Sequence, residues 1–283
     1  MISFTNSFPI LEFAFYLFVI VWLLAIFGFT IHFFLEHRYQ LSIPCATEPS
    51  PCRYLLLIAH PDDESMFFGP TIQCLTSSKR AELFVLCITS GNSAGLGQIR
   101  KKELEKAIAS FGISSSHLDF LGLDDDEFAD GFHEKWDIER LSLLVSSHVR
   151  QLKCHYIVTF DGRGVSGHPN HIECFRAAQL IMRRQLQSGV KDLHYPQIIV
   201  LESVSIIRKY ISWLDLILTY LFTWISCSVL HKNDSQTKFI CVANPLRVFQ
   251  AMRQHKSQLV WFRYLYLLFS RYVTVNSLKL LTR

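Results

Sequence analysis

Short apolar runs and longer amphipathic stretches alternate through the middle of this chain. Five short runs predict strands: Tyr54–Ala59, Glu82–Thr89, Leu118–Leu121, Tyr156–Phe160 and Gln197–Leu201. The first two are predicted to be buried, because apolar runs without period-two alternation are typical of strands covered on both faces. The stretches between the five runs predict helices over Met66–Ser77, Gln98–Phe111, Ile138–Gln151 and His171–Gln187. Repeated strand–helix units predict an α/β fold with a Rossmann-like, mostly parallel sheet and helices on both faces.

The amino-terminal part of the chain has a different pattern. Phe13–Ile31 contains no charged residue and, at about 1.5 Å per residue, is long enough to cross a hydrocarbon core as one transmembrane helix. A cleaved signal peptide is the alternative. Against it, the residues before the run contain Glu12 but no Lys or Arg, and the run is longer than a usual signal core. Arg38 and Arg53 follow it, so the positive-inside rule predicts a lumenal amino terminus and a cytosolic remainder.

Apolar and cationic residues mix from Ser212 onward. Trp213–Leu230 is strongly apolar but contains Asp215, so a second span, a buried helix and an interfacial helix all stay open. His255–Thr274 interleaves aromatic and cationic residues, which suits a membrane surface or a packed terminal helix. The predicted organisation has four parts: a membrane anchor (1–36), a linker (37–52), an α/β core (53–211) and a carboxy-terminal region (212–283) that is membrane-associated or packed on the core.

Composition narrows the class of protein. The 283 residues are 50% apolar and 18% charged, which is more apolar than an average soluble enzyme. A net charge of +4 argues against a nucleic-acid partner, because nucleic-acid readers carry a denser basic stripe. The eight cysteines lack disulfide-framework spacing and mostly lie in apolar segments, as buried free thiols of a reducing compartment do.

Two histidine motifs carry the candidate chemistry. The sequence AHPDDE (Ala59–Glu64) follows the first predicted strand, and HPNH (His168–His171) follows the fourth. Each motif alone is more typical of a solvated turn or ordinary surface. Both, however, fall at carboxyl ends of strands, where ligands bind in parallel sheets. Together they offer two imidazoles and a carboxylate for a divalent metal, with a carboxylate and an imidazole left for proton transfer. That set suits hydrolysis by a metal-activated water.

The paired motifs resemble the hallmarks of the PIG-L/LmbE de-N-acetylases. The resemblance is greatest to the eukaryotic PIG-L branch, the N-acetylglucosaminyl-phosphatidylinositol de-N-acetylases. Four further stretches support that branch: Leu201–Ser203, His255–Gln258, Trp261–Arg263 and Ser270–Tyr272. The resemblance covers roughly residues 53 to 276, and its motifs are specific because both must occur in order at the right strand ends.

The resemblance implies roles for the residues of the two motifs. His60, Asp63 and His171 would bind the metal, with Zn²⁺ expected first, although this ligand set also accepts other divalent ions. Asp62 would be the general base. His168, in its protonated form, would stabilise the developing oxyanion or protonate the leaving amine.

The resemblance also implies a substrate contact outside these motifs. Arg100 and Glu103, in an Arg-x-x-Glu pattern, would lie near the substrate, with the arginine within reach of its phosphate. Asn170 stands where many soluble relatives carry Asp, and little consequence is expected. The acidic run Asp124–Glu127 is interpreted as a solvated loop, with a substrate contact as the alternative.

The implied activity is that of a metal-dependent amidohydrolase. It would remove the acetyl group from N-acetylglucosaminyl-phosphatidylinositol, the second step of GPI-anchor assembly. The implied location is the endoplasmic reticulum membrane, single-pass, with the catalytic domain facing the cytosol. The first alternative is de-N-acetylation of another N-acetyl-sugar conjugate. The second is a non-catalytic membrane scaffold, against which the intact set of five catalytic side chains argues.

Overall fold

The structure is a computed structural model, and it describes these residues: 13, 15, 16, 51–121, 127–188, 196–219, 221 and 238–281. Residues 1–39 and 40–283 form two compact units, and the fold below is that of the second. Most of the predicted anchor over 13–31, the acidic positions 124–126 and most of 220–237 lie outside the described residues. Among the residues that are described, none of the helices is long and apolar enough to cross a bilayer.

Seven strands in the described residues form a single sheet. They are β1 (Cys52–Ile58), β2 (Ala81–Cys87), β3 (Leu118–Phe120), β4 (Tyr156–Phe160), β5 (Gln197–Leu201), β6 (Lys238–Val242) and β7 (Val275–Leu280). The order across the sheet is β3-β2-β1-β4-β5-β7-β6. β1 to β5 are joined by parallel pairings, as predicted, and β7 is antiparallel to both β5 and β6.

The helices of the described residues are α1 (Asp63–Met66), α2 (Gly69–Thr76), α3 (Gly97–Ser110), α4 (Ile138–Leu152), α5 (Gly164–Gly167), α6 (Pro169–Ser188), α7 (Ile206–Lys209), α8 (Pro245–Met252) and α9 (Trp261–Phe269). The predicted helix from Met66 to Ser77 is wrong at its start, because the chain forms two helices there. Pro70 has no amide hydrogen and suits the first turn of a new helix, which begins at Gly69.

The core forms around the central strands. Every residue of Tyr54–Ile58 in β1 is buried, as expected for a strand that has a parallel neighbour on each side and is covered on both faces. α4 and α6 pack on each other, and α6 also packs along β4 and β5, while α2 packs against β2 and β6. These contacts explain why the strands read as continuous apolar runs rather than alternating ones.

The carboxy-terminal region contributes to the same sheet. Residues 238–281 supply β6 and β7, which extend the parallel strands on the β5 side. Asp215, the charged residue within the apolar run, is fully buried and lies 2.6 Å from both Arg271 Nε and Arg208 Nε. Two arginines compensate the buried carboxylate, so this acid fixes residues 206–219 against the segment that precedes β7.

The cysteines differ in one respect from the expectation. Cys52 is disulfide-bonded, whereas the other described cysteines are free thiols: Cys74, Cys87, Cys154, Cys174 and Cys241. Four of these free thiols are buried. The absence of framework spacing therefore did not exclude a single disulfide at the start of β1.

The strand order creates a crevice between β1 and β4. From β1 the chain continues to β2 on one side, and from β4 it continues to β5 on the other. The carboxyl ends of two such strands form the topological switch point at which open α/β sheets bind ligands. His60 lies just after β1, and His168 and His171 follow β4. The fold therefore brings the two histidine motifs to the same crevice.

Candidate active site

A cavity of about 690 Å³ opens at this crevice. Five of the seven predicted site residues form its polar base, which we call the floor: His60, Asp62, Asp63, His168 and His171. Arg100 also lines the cavity, while Glu103 is not among the lining residues. Side chains separated by about a hundred positions in the sequence thus face one space.

Asp63 is held by the backbone of its own turn. The amides of Ala59 and His60 donate to Asp63 Oδ2 at 3.0 and 2.8 Å. The other oxygen, Oδ1, lies 3.1 Å from His171 Nε2. Burial alone would raise the pKa of Asp63, but His171 and His60 hold it well below its usual range. The group is therefore a buried, ionised and oriented carboxylate.

His171 is oriented from two sides. Its Nδ1 lies 3.0 Å from the carbonyl oxygen of Gly164, and its ring stacks on Phe160 with centroids 4.0 Å apart. Gly164 has φ +58°, and a Cβ there would lie 3.0 Å from His171 Cβ, so the close approach requires glycine. These contacts fix the ring so that Nε2 faces Asp63. In metal-binding histidines, a hydrogen bond at the other ring nitrogen orients the ligand nitrogen in the same way.

His60 lies between two carboxylates. Its Nδ1 is 3.6 Å from Asp63 Oδ2, and its Nε2 is 3.0 Å from Asp130 Oδ1. Burial lowers its pKa, but the hydrogen bonds to Asp130 and Asp63 outweigh that effect and raise it to about 10. The buried side-chain amide of Asn170 lies 3.2 Å from the same Nε2. Asn170, for which little consequence was expected, thus contacts a predicted metal ligand.

The floor fits a divalent metal. Nitrogen atoms of His60, His168 and His171 all lie within 4.8 Å of one another, and Asp63 Oδ1 adjoins His171. Imidazole nitrogens with a carboxylate oxygen are the donor set of catalytic zinc sites and of related divalent ions. The three predicted ligands lie close together, and His168 adds a third imidazole to the group.

Asp62 combines backbone strain with close cationic neighbours. Its φ of 118° is in a region that residues other than glycine rarely adopt, and such strain concentrates at functional sites. Asp62 Oδ1 lies 3.6 Å from Arg100, and Oδ2 lies 3.2 Å from Arg263. Burial raises the pKa of Asp62, and the two arginines offset only part of that rise. A carboxylate with a raised pKa is suited to accept and return a proton.

The third imidazole of the floor, His168, has its ring 4.7 Å from that of His60 and 5.0 Å from that of His171, between centroids. Burial, together with the nearby His60 and His171, lowers its pKa to about 4. Its Nδ1 accepts a hydrogen bond of 3.3 Å from the backbone amide of Asn170, so in the neutral ring the proton resides on Nε2. The ring also packs on Phe132, with centroids 4.4 Å apart. This direction of the pKa shift favours a neutral His168 that donates from Nε2.

The structure separates Arg100 from Glu103. Arg100 donates to the carbonyl oxygens of Pro61 at 2.7 Å and Gly91 at 3.0 Å, so its guanidinium is fixed beside Asp62. Glu103 faces away from the cavity and accepts from the amide of Ser257 at 2.8 Å and from its hydroxyl at 2.5 Å. The predicted substrate contact thus fits the position of Arg100 but not that of Glu103.

Two contacts attach the carboxy-terminal motif to α1 and α3, the helices that carry Asp63 and Arg100. His255 Nε2 lies 2.6 Å from Glu64 Oε1, and both side chains are fully buried. Ser257 binds Glu103 as described, so acidic residues hold the segment at both positions. Burial lowers the pKa of His255, but the charge of Glu64 outweighs it and the net shift is upward. We call the pairs His255–Glu64 and Ser257–Glu103 the clasp; it precedes α9, which carries Arg263 to Asp62.

Sequence reasoning missed two charged residues of the site. Asp130 contacts His60 and lies 3.6 Å from Arg100, but no motif surrounds it. The only signal was its place three positions after the acidic run that ends at Glu127. Arg263 belongs to the Trp261–Arg263 stretch that supported the family resemblance, yet its contact with Asp62 depends on packing over about two hundred residues of chain.

Comparisons with known proteins identify relatives of this chain. Residues 55–182 match the family model described as "PIG-L: GlcNAc-PI de-N-acetylase". A probable N-acetylglucosaminyl-phosphatidylinositol de-N-acetylase of Schizosaccharomyces pombe is 40% identical over 226 residues, covering 80% of this chain and 85% of that protein. The N-acetylglucosaminyl-phosphatidylinositol de-N-acetylase of Bos taurus is 40% identical over 230 residues, covering 81% and 83%.

A solved structure supports the fold. The pseudoaglycone deacetylase Dbv21 superimposes with a TM-score of 0.52 at 12% identity, covering 83% of this chain and 98% of that one. At this identity the likeness concerns the α/β fold alone.

Proposed function

Because the chain belongs to the PIG-L family of N-acetylglucosaminyl-phosphatidylinositol de-N-acetylases, we propose that it hydrolyses the acetamide of N-acetylglucosaminyl-phosphatidylinositol. The products are acetate and the free amine of glucosaminyl-phosphatidylinositol. The observation that carries this proposal is the floor, where two buried aspartates and three histidines face one cavity at the switch point. That arrangement suits a metal-dependent amidohydrolase.

The floor divides the chemistry between its side chains. His60, Asp63 and His171 would hold a divalent ion, proposed to be Zn²⁺, which would supply Lewis acidity to the water and the acetyl carbonyl. Asp62 takes a proton from the attacking water. Its raised pKa and its position on the floor suit it to this role. His168 donates its Nε2 hydrogen to the oxygen on which negative charge develops.

Proton transfer completes the reaction. Water adds to the acetyl carbon, the carbon–nitrogen bond breaks, and the nitrogen leaves only when it has received a proton. Asp62 returns the proton that it took from water, so acetate and the amine form without another reagent. Arg100 and Arg263 hold the two oxygens of Asp62 throughout, which limits the reorganisation needed at each step.

The family supports the substrate, and the sequence supports the cellular location that we propose. The relatives are named for the phosphatidylinositol glycolipid, and this reaction is the second step of GPI-anchor assembly. We place the protein in the endoplasmic reticulum membrane, anchored by residues 13–31 with the catalytic unit on the cytosolic side; the apolar run and the arginines after it support this. A lipid substrate makes such an anchor useful.

Acetate release tests the proposal. Full-length protein in phospholipid vesicles should release acetate from the glycolipid, and Asp62→Asn should lower the rate by about a hundredfold or more while metal content stays unchanged. Asp119→Asn, an exposed aspartate paired with His148 at the surface, is the matched control. Folded, metal-loaded Asp62→Asn protein with undiminished turnover would refute the role of the base. Activity on unrelated N-acetyl sugars but not on this glycolipid would refute the substrate.

A further inference from the structure

Helix α9 has an exposed apolar side. Trp261, Leu265 and Leu268 are spaced at i, i+4 and i+7 and therefore share one face of the helix, with exposures of 75%, 48% and 64%. Leu265 also lines the cavity, whereas Trp261 and Leu268 do not. The apolar face is thus continuous with the cavity entrance and extends beyond it.

Two other elements near the cavity also carry exposed apolar residues. Ile206 and Ile207 of α7 are 74% and 73% exposed. The segment after α7 joins α9 through the amide of Ser212, which donates to the carbonyl oxygen of Phe269 at 2.8 Å. Phe132, 67% exposed, lines the cavity from a different loop. Exposed apolar residues therefore border the entrance from more than one side. We call Phe132, Ile206, Ile207, Trp261, Leu265 and Leu268 the mouth surface.

Cations accompany this surface. Lys209 follows the two isoleucines and lines the cavity; its ammonium group lies 5.6 Å from the ring of Tyr210, and burial lowers its pKa. No salt bridge joins Lys209 to a carboxylate among the described residues. Arg263 lines the same cavity between exposed neighbours of α9. Positive charge beside exposed aromatic and aliphatic side chains is the composition of an interfacial membrane contact.

We propose that the mouth surface docks on the lipid bilayer, so that the cavity opens directly into the headgroup layer. The inference rests on the proposed function, because a glycolipid keeps its acyl chains in the bilayer while its sugar must reach the floor. Side chains such as Trp261 and Leu268 enter the boundary between headgroups and acyl chains, as interfacial helices do. Lys209 meets the phosphate-bearing layer, where anionic headgroups favour a cation.

Depth-dependent fluorescence quenching tests the docking without using activity. Full-length protein is placed in vesicles of phosphatidylcholine and phosphatidylinositol, with or without bromine on the acyl chains. The emission of wild type minus that of Trp261→Phe reports Trp261, since Phe keeps an apolar ring at that position. Brominated chains should quench this difference by about half or more, and aqueous iodide should not quench it.

Two results would overturn the docking. Quenching by iodide but not by bromine would show that Trp261 stays in water. Protection from both quenchers would show that protein covers the mouth surface, and cross-linking at different protein densities would then separate a second copy of this chain from another partner. Neither reading depends on whether the protein hydrolyses the glycolipid.

A functional comparison separates docking from catalysis. The double variant Trp261→Asp/Leu268→Asp should lower acetate release from the glycolipid in vesicles by about tenfold, with hydrolysis of the tail-free N-acetylglucosaminyl-inositol phosphate unchanged. Leu143→Asp on α4, equally apolar and 53% exposed, is the matched control and should leave both rates unchanged. Equal losses on both substrates would contradict docking. If wild type hydrolyses neither substrate, the proposed function fails, and the quenching result still decides the docking.

Discussion

The floor of the cavity and the mouth surface beside its entrance are built on opposite principles. Floor side chains are mostly buried, and their polar atoms have fixed partners, such as the two backbone amides on Asp63 and the Gly164 carbonyl on His171. Mouth side chains are exposed and apolar. Chemistry requires charges held in place before reaction, whereas lipid contact requires apolar area and little geometry. Separate residues therefore supply catalysis and contact with the membrane.

The largest expected effect comes from removing a floor histidine. His171→Ala should abolish metal retention and lower acetate release by at least about a hundredfold, to the same extent on tailed and tail-free substrates. The measurement is metal content by elemental analysis together with both rates. His148→Ala, a partly exposed histidine bonded to Asp119, is the control. A loss confined to the tailed substrate would break the division between floor and mouth.

Metal affinity should depend strongly on pH. His60 has a pKa of about 10 in the metal-free chain, so near pH 7 it carries a proton that a bound metal must displace. Loss of one proton on binding makes affinity rise roughly tenfold per pH unit below that pKa. Titrating the stripped protein with Zn²⁺ at pH 6.5, 7.5 and 8.5 measures the slope.

Vesicle binding should depend on pH much less than metal binding does. The mouth surface contains no titrating group, so binding of the metal-free chain to vesicles should vary much less than metal affinity over the same range. A flat metal affinity between pH 6.5 and 8.5 would contradict a protonated His60 between Asp130 and Asp63.

Arg263 lies between the two regions, since it rises from α9 and contacts Asp62. Arg263→Gln should lower kcat by about tenfold. Arg263 lowers the pKa of Asp62, so its removal lets that pKa rise, and the acid limb of the pH–rate profile should move to higher pH. Arg253→Gln, an exposed arginine outside the cavity, is the control. An unchanged profile would show that Arg263 does not act through Asp62.

The smallest expected effect concerns the clasp. Glu103→Gln weakens two hydrogen bonds to Ser257 and should lower the free energy of unfolding by about 1–2 kcal/mol, with a modest effect on tail-free hydrolysis. Urea denaturation measures it, and Glu105→Gln, exposed on the same helix, is the control. A large loss of activity with unchanged stability would return Glu103 to the substrate contact that the sequence analysis assigned it.

Much of the fold was readable because local pattern and tertiary context agree. β1, β2, β4 and β5 are largely buried parallel strands, which read as apolar runs, and β4 and β5 occupy the predicted residues. β6 and β7 were missed because a membrane-like composition hides short antiparallel strands such as VNSLKL. Asp215 lies within an apolar run, so the sequence left open whether that run spans a membrane or is buried. Its contacts with Arg208 and Arg271 explain why a carboxylate occurs there.

The site was readable where residue type and strand-end position both carry information. The two histidine motifs satisfy both conditions, so all five floor residues were identified as candidates. Asp130 satisfies neither, since a lone acid in a loop has no pattern. The protonation of His168 was also out of reach, because its pKa depends on burial and on the neighbouring His60 and His171.

By itself, the sequence determined the strand–helix alternation and the identity of the chemical groups, because apolar periodicity and motif spacing are local properties of the chain. Tertiary structure alone decided which groups touch: Arg263 on Asp62, Glu64 on His255, Asp130 on His60. It also decided that Leu265 of α9 and Phe132 of a distant loop line one cavity together with Lys209 of α7. Such contacts join residues far apart in the chain, and their geometry follows from packing, which no local pattern records.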